Sequence, residues 1–510
     1  MESTGTGAVG TAQAADDRTL VSEKVAPVLL GRVLNSFDMV VIFVAIVLFI
    51  INSSTIQTTG PSAFIYWGLG FLTFLIPGAF VTAHLGRMFP EEGSIYVWSH
   101  KALGPFWGFY AGFLAWWPGI LVLLLTGSAA VTIIQTLWPG MLTPAWQQAL
   151  VILGIVWFSA ILSVQRFRLT QNYVNFQFLF YAAAIVLIGL SGIIWLANGH
   201  PAANSFALEH WKLHAFGAGK NWEFFGVVVL ALLGIEVPLN MGVEVKSERS
   251  ITRYLFWGSI VVMVAYLWTT WGNMVVVPLK DNNPTTGVIA TVQIAINHTL
   301  GSFVGVVLLW FFISNTAVYN YSFARLLFVS GLERRMPRAM ARVNPRTHVP
   351  DVAVFVQSVI ASILVVALFM RPKAPSHLAT KVYLALLAAI TVVWCASMVI
   401  LFLDIFFVRR WYPEKFEEVR LVPVWVLNVS GVVGLLFSLF GGLVLFDTFF
   451  APAGLFTLGE WRLWLGSLVV GSLIVGIAIY LISEAARKRT PAARPAAPAV
   501  GGGGGGGGSG

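Results

Sequence analysis

Cysteine is almost missing from this chain: Cys395 is the single one in 510 residues. One thiol cannot close an internal disulfide framework or build a cysteine metal cluster. Charge is scarce as well, with Asp, Glu, Lys and Arg at 10% of residues against 57% hydrophobic, well below the share of charge in ordinary soluble domains. The eight histidines (His84, His100, His200, His210, His214, His298, His348, His377) fall in loops or at the ends of apolar runs. No two share a helical face at metal-ligand spacing, which disfavours a membrane metalloenzyme or a haem protein. No Gly-x-x-x-x-Gly-Lys-Ser/Thr phosphate loop occurs, so nothing points to nucleotide hydrolysis. Neither a metal nor a cofactor is expected, and the chain is not read as an enzyme.

What is present is length of apolar sequence. A helix needs ~20 apolar residues to cross a bilayer. Twelve runs qualify, near 35–57, 63–86, 104–137, 146–164, 172–197, 222–243, 254–278, 287–331, 351–371, 378–409, 424–447 and 461–483. The chain is therefore expected to be an all-α membrane protein, with the lipid bilayer as its solvent. The stretch before Val25-Ala-Pro27 lacks the apolar core of a signal peptide. The first run starts near 35 and the sixth near 222, the third near 104 and the eighth near 287. The similar separation suggests two groups of five spans, and an odd number per group makes them opposite in orientation. The third member of each group is unusually long, which implies strong tilt or extension into the cytoplasm. The resulting division is a tail (1–31), a first repeat (32–197), a loop (198–221), a second repeat (222–410), two final helices (411–484) and a disordered tail (485–510). The last contains the Pro/Ala-rich PAARPAAPAV and the flexible GGGGGGGGSG.

The net charge of +9 would suit a nucleic-acid partner, but its distribution does not. With twelve spans, 24 of the 31 Lys and Arg fall on one side of the membrane, including six arginines from Arg325 to Arg346. The other side holds Lys212, Lys220, Lys280, Arg371, Lys373, Lys381 and Arg462. This positive-inside pattern places both termini in the cytoplasm, and no nucleic-acid partner is expected. Oligomeric state is not legible.

The sixth run, NWEFFGVVVLALLGIEVPLNMG, is interrupted by Gly234, Pro238 and Gly242, with Glu236 in its middle. Proline removes a backbone hydrogen bond and glycine weakens the turns around it. Irregular backbone at membrane depth is tolerated only where it faces protein or a water-filled cavity, and secondary transporters build their sites from such broken helices. A carboxylate at this depth costs at least ~2.5–3.5 kcal/mol on insertion scales, so it faces a cavity and finds a partner or a proton. Glu236 is either a coupling or gating acid or a structural acid bonded to the amides of the break. Glu244 reads as a local ion-pair partner beside Lys246 and stands with Glu236 among the coupling or gating candidates. On the first run the polar residues Asn52, Ser53, Ser54 and Thr55 compete with helix hydrogen bonding. They either open the helix toward a ligand or begin a loop. Gly234, Ile235, Glu236 and Asn240 are the sixth-span candidates for contacting a substrate. On the eighth run Ser314 and Asn315 are candidates for coupling. With Thr316 and Asn320 they also fit helix–helix packing, while Arg325 could serve a cation pocket. Trp116 and Trp117 on the third run, and Tyr383 and Trp394 on the tenth, could line a cavity.

Three segments carry a family resemblance. FPEEGSIYVWSHKALGPFWGFYAGFLAWW (89–117) is similar to the signature joining the second and third spans of the amino acid–polyamine–organocation transporter superfamily. Pro90, Gly93, Tyr96, Gly104, Pro105, Gly108 and Gly112 match, with Ser94 in place of a second glycine. GIEVPLNMGVEVKSERS resembles the family's sixth-span Gly-x-Glu, and SFARLLFVSGLERRMPRAMARVN its stretch after the eighth span. Glu91 to Gly93 and Gly234 to Glu236 resemble the glutamate/GABA antiporter branch. The family's Gly-Ser-Gly-type break in the first span is replaced by Ile-Asn-Ser-Ser. The resemblance implies a leucine-transporter-like fold of twelve helices, arranged as a 5+5 inverted repeat plus two. It also implies a small-molecule amino acid or amine substrate, moved across a plasma membrane (a bacterial inner membrane) by alternating access and exchange. A proton- or sodium-coupled symporter is the alternative within transport. A channel is the alternative from another class, and it lacks repeated polar pore rings.

The charge asymmetry yields a direct test. Cysteines introduced by Lys212→Cys and Arg338→Cys are expected to react with an impermeant reagent from opposite sides of the membrane. Reaction of both from one side of intact cells would refute the assigned topology.

Overall fold

The structure, a computed structural model, describes residues 18–213, 221–370, 378–446 and 456–489. In hydrocarbon each segment must satisfy its own backbone groups, so an apolar chain of this kind folds as helices. The described residues form helices and no strand. The exceptions are two isolated bridges, Leu34 with Val245 and Glu92 with Met241.

A short helix α1 (Val21–Leu29) precedes the apolar α2 (Ser36–Val47), which stops and resumes as α3 (Asn52–Gln57). Then come α4 (Ser62–Met88), α5 (Ser94–Leu103), α6 (Pro105–Leu137), α7 (Ala145–Ser163) and α8 (Phe167–Ala197). The second half opens with another short apolar helix, α9 (Glu223–Leu232), followed by 3₁₀ turns at Val237–Asn240 and Gly242–Glu244. It continues with α10 (Arg249–Val276), α11 (Gly287–Ala295), α12 (His298–Leu332), α13 (Asp351–Phe369), α14 (Leu378–Trp411), α15 (Pro413–Glu418), α16 (Val424–Leu443) and α17 (Leu458–Arg489). Among the described residues ten helices are long and apolar enough to cross a membrane, and α2 and α9 are shorter apolar helices. Within α4, Pro77 has no N–H to offer Thr73. The turn Phe71–Leu75 widens in response, and Ile76 N–H bonds Phe71 O.

Three apolar runs fold differently from single spans. The runs at 35–57 and 222–243 break in their middles. The run at 287–331, expected as one tilted span, is two helices. Asn297 takes an extended conformation and its side chain caps α12 by accepting from Leu300 N–H (2.8 Å). An N-cap in mid-run starts a new helix, because the cap residue itself is not helical. At the far end α17 continues to Arg489, past residue 484 where a disordered tail was expected. PAARPAAPAV and the glycine tract lie outside the described residues.

The centre of the bundle is α6, which packs along both α12 and α14. In its most apolar stretch α14 is 78% buried, whereas α17 at the periphery is 22% buried. Hydroxyls join these apolar helices: Thr126 and Thr316 lie 2.8 Å apart, and Ser397 Oγ donates to Ala111 O (2.9 Å). Such bonds help hold helices together where lipid supplies no hydrophobic drive between them.

One end of the bundle is laced by backbone. Gly93 N–H donates to Asn240 O and Ser94 Oγ to Asn240 Oδ1 (2.9 and 2.6 Å). Val33 and Leu34 N–H both donate to Glu244 O (2.9 Å), and Lys246 N–H returns to Leu34 O (2.9 Å). Gly242 is needed for this approach, since a Cβ there would sit 2.4 Å from Glu91 O. Beneath the lacing Arg325 of α12 is fully buried. It donates from Nε and Nη2 to Glu244 Oε1 (3.0 and 2.9 Å), lies 3.7 Å from Glu92 Oε1, and bonds Tyr321 O. Glu244 is thus an ion-pair partner, but of Arg325 rather than of neighbouring Lys246. Arg325 serves this cluster and not a cation pocket.

Removing one member of a buried ion cluster typically costs ~3–5 kcal/mol, because it strands the others. Arg325→Met is expected to lower the melting temperature of the purified protein markedly, and adding Glu92→Gln and Glu244→Gln should recover most of the loss. A single variant as stable as the parent would show that the cluster does not hold this end.

Candidate functional site

The two broken spans meet at mid-bundle. α2 ends at Val47, and Leu48 leaves helical geometry (φ −97, ψ 81). α9 ends at Leu232, Leu233 is extended, and Gly234 takes φ +97. Only glycine adopts that conformation cheaply. A Cβ at Gly234 would also lie 2.3 Å from Ile46 Cγ2, so the same glycine sets the backbone turn and lets the two breaks touch. The non-helical stretch of the sixth span starts at Leu233, one residue before Gly234 and well before Pro238.

The first-span break lies at Leu48–Ile51, a turn before the polar run expected to cause it. Asn52 to Thr55 are themselves helical, as part of α3. Three of them face α10 and the chain before α11. Ser53 Oγ is 2.7 Å from Thr269 Oγ1, Asn273 Nδ2 donates to Ser54 Oγ (3.0 Å), and Thr55 Oγ1 donates to Pro284 O (2.9 Å).

The backbone groups freed by the breaks are taken up by four buried tyrosines. Tyr181 donates to Leu48 O (2.6 Å) and accepts from Ile50 N–H (3.0 Å). Tyr266 accepts from Phe49 N–H (3.1 Å), with Val47 O at 2.9 Å and Ala231 O at 3.2 Å from its hydroxyl. Its one proton serves either carbonyl, so this hydroxyl bridges both broken spans. Tyr319 donates to Ile46 O (2.9 Å) and Tyr254 to Ile235 O (3.3 Å). Sequence reasoning missed all four. The available signal was a phenol in an apolar span, whose hydroxyl needs a partner when buried.

A cavity of about 20 Å³ lies between the breaks, room for about one water molecule. Ile46, Phe49 and Asn52 form one wall and Leu230 of α9 another; Val122 and Leu125 of α6 face them. Tyr319 of α12 and Leu387, Ile390 and Trp394 of α14 close it. Trp394 donates from Nε1 to Glu236 Oε1 (2.9 Å), so the carboxylate stands directly behind the indole. Glu236 Oε2 and Asn52 Oδ1 are buried without a hydrogen-bond partner among the described residues.

Of the sequence candidates, Asn52 and Trp394 line the cavity and Gly234 and Glu236 stand beside it, whereas the Ile235 side chain packs toward Gly78 of α4. Asn240 and Glu244 belong to the laced end. Tyr383 is buried one turn before Leu387, off the cavity wall. Trp116 is elsewhere, donating toward Gln357 Oε1 (3.3 Å) between α6 and α13. Ser314 donates to Tyr173 (3.0 Å), and Asn320 donates to Ser159 and Ser358 (3.0 Å each), both as interhelical contacts. Asn315 is buried one turn before Tyr319, and its amide finds no partner among the described residues.

A family model described as amino acid permease matches residues 32–479. An uncharacterized transporter of Legionella pneumophila is 25% identical over 346 residues, covering 65% of this chain and 73% of the relative. A gamma-aminobutyric acid permease of Bacillus subtilis is 25% identical over 341 residues, covering 64% and 69%. A probable agmatine/putrescine antiporter of Lactococcus lactis is 21% identical over 356 residues, covering 67% and 74%.

The geometry at Gly234 is testable. Gly234→Ala forces an L side chain into a left-handed turn, costing ~1–2 kcal/mol, and adds a clash with Ile46. Its melting temperature is expected to fall. Gly442→Ala, whose added methyl would meet Cys395 Cβ at an ordinary 3.5 Å, should leave it unchanged or slightly raised. Equal behaviour of the two variants would remove the special role of Gly234.

Proposed function

Proceeding from the fact that the chain belongs to the amino acid permease family, we propose that it is a secondary active transporter of amino acids or related amines, working by alternating access and exchange. In this reading α2–α3 and the α9 segment are the broken first and sixth spans of a twelve-span, 5+5 inverted repeat. Both termini lie in the cytoplasm, and the laced end with Arg325, Glu92 and Glu244 is the cytoplasmic closure. The protein resides in the plasma membrane.

The observation that carries the reading is the meeting of two broken helices at one small cavity with a buried carboxylate behind its wall. Broken spans of this kind form transporter sites near the bilayer midplane, and intramembrane acids are functional by default. Alternating access requires the closed cavity to open first to one side and then to the other. On the cytoplasmic side that means parting the Glu244–Arg325 pair and the backbone bonds around it. Glu236 is the coupling group: its carboxylate accepts the Trp394 N–H on one oxygen and leaves the other for a proton or a substrate cation. The matched relatives named as permease and antiporter support the substrate range and the exchange mode.

Counterflow in proteoliposomes tests the mode, because exchange needs substrate on both faces. Glu236→Gln keeps the bond from Trp394 and removes the charge. It is expected to reach the membrane and bind substrate while transport loses its pH dependence, and Glu236→Ala should be worse. Unchanged transport and pH dependence in both variants would exclude Glu236 as the coupling group.

A further inference from the structure

Resting on the transport function proposed above, we propose that this site accepts an amine that carries no carboxylate, and rejects the corresponding α-amino acid. A carboxylate has fixed requirements in a dry site. Away from water it must receive two or more hydrogen bonds from N–H groups or pair with a cation. In broken-helix transporters those donors are the open amides of half-helix N-termini.

At the first break these amides are already used. Around the first break, Leu48 N–H bonds Val44 O, Asn52 N–H bonds Phe49 O and Ser53 N–H bonds Ile50 O. The Phe49 and Ile50 amides, the two most exposed by the break, are capped by the hydroxyls of Tyr266 and Tyr181. There at most the Ile51 amide remains, and one N–H does not hold a carboxylate. At the second break the Gly234, Ile235 and Glu236 amides make no backbone bond among the described residues, but they adjoin the Glu236 carboxylate, whose charge repels a second one. Nor does any Lys, Arg or His side chain line the cavity.

The groups that remain suit a cation. The two half-helices that end at the cavity, α2 and α9, both present their carboxyl ends, where the helix dipole favours positive charge. Asn52 Oδ1 on the wall and Glu236 Oε2 behind it are buried acceptors without a partner among the described residues. Phe49, Tyr319 and Trp394 supply aromatic rings at the cavity, which attract ammonium groups. The other wall residues are aliphatic and fit a hydrocarbon chain. An α-amino acid would bring its carboxylate to two carbonyl ends and an acid, with no basic side chain to neutralise it.

The test uses two pairs that differ only by the α-carboxylate: putrescine with ornithine, and 2-phenylethylamine with phenylalanine. Binding is read as the thermal shift of the purified full-length protein, which rises with ligand concentration over Kd. In whichever pair binds, the amine is expected to produce a given shift at a concentration at least tenfold below that of its amino acid. Equal or better binding of the amino acid would overturn the inference and leave the transport function standing. A shift with sodium alone and with no amine would also overturn it. If none of the four shifts the protein and none drives counterflow in proteoliposomes, both the inference and the transport function fall. Tyr181→Phe uncaps the Ile50 amide while keeping the ring. It is expected to narrow the preference for the amine several-fold with the amine still bound, and an unchanged ratio in a folded variant would refute the role given to the capped amides.

Discussion

Every feature at the centre of this protein follows from one constraint: a peptide group at membrane depth must be hydrogen-bonded by the protein itself. Breaking α2 after Val47 and α9 after Leu232 releases carbonyls and amides into a region with no bulk water. Each unpaired group there would cost several kcal/mol. The tyrosines on α8, α10 and α12 absorb this cost. Because Tyr266 touches carbonyls of both broken spans, the breaks are held against each other as well as satisfied. The site's backbone is therefore fixed by helices outside it.

The same constraint explains the contrast between the middle and the laced end. At the laced end the irregular backbone pairs with other backbone, as between Leu34 and Val245 or Glu92 and Met241. Its charges pair with one another around Arg325. In the middle, one carboxylate stands beside a small cavity, with one oxygen bonded by Trp394 and the other without a partner among the described residues. A buried carboxylate left partly unsatisfied beside a cavity is where a ligand or a proton gains most by arriving. That difference, rather than the presence of polar residues as such, distinguishes the candidate site from the interhelical contacts of Ser314, Thr316 and Asn320.

The sequence by itself determined a great deal here. Apolar runs, few charges and a lone cysteine sufficed for an all-helical membrane protein, because span length and backbone satisfaction leave a bilayer chain few alternatives. The sixth-span break was legible, since Pro238 and Gly234 act on the backbone locally whatever surrounds them. The segments at 89–117 and 234–250 pointed to the permease family. Tertiary structure alone decided the rest. The first-span break falls among Leu48 to Ile51, residues with no local reason to leave a helix, because hydroxyls from Tyr181 and Tyr266, more than a hundred positions away, replace the missing bonds. The polar run that looked like the cause is helical because α10 and the chain before α11 supply its partners. Glu244 pairs with Arg325 rather than Lys246, and Glu236 meets Trp394. Hydrogen bonds and ion pairs depend on which side chains the packed helices bring within about 3 Å of each other, and no local pattern along the chain encodes that distance.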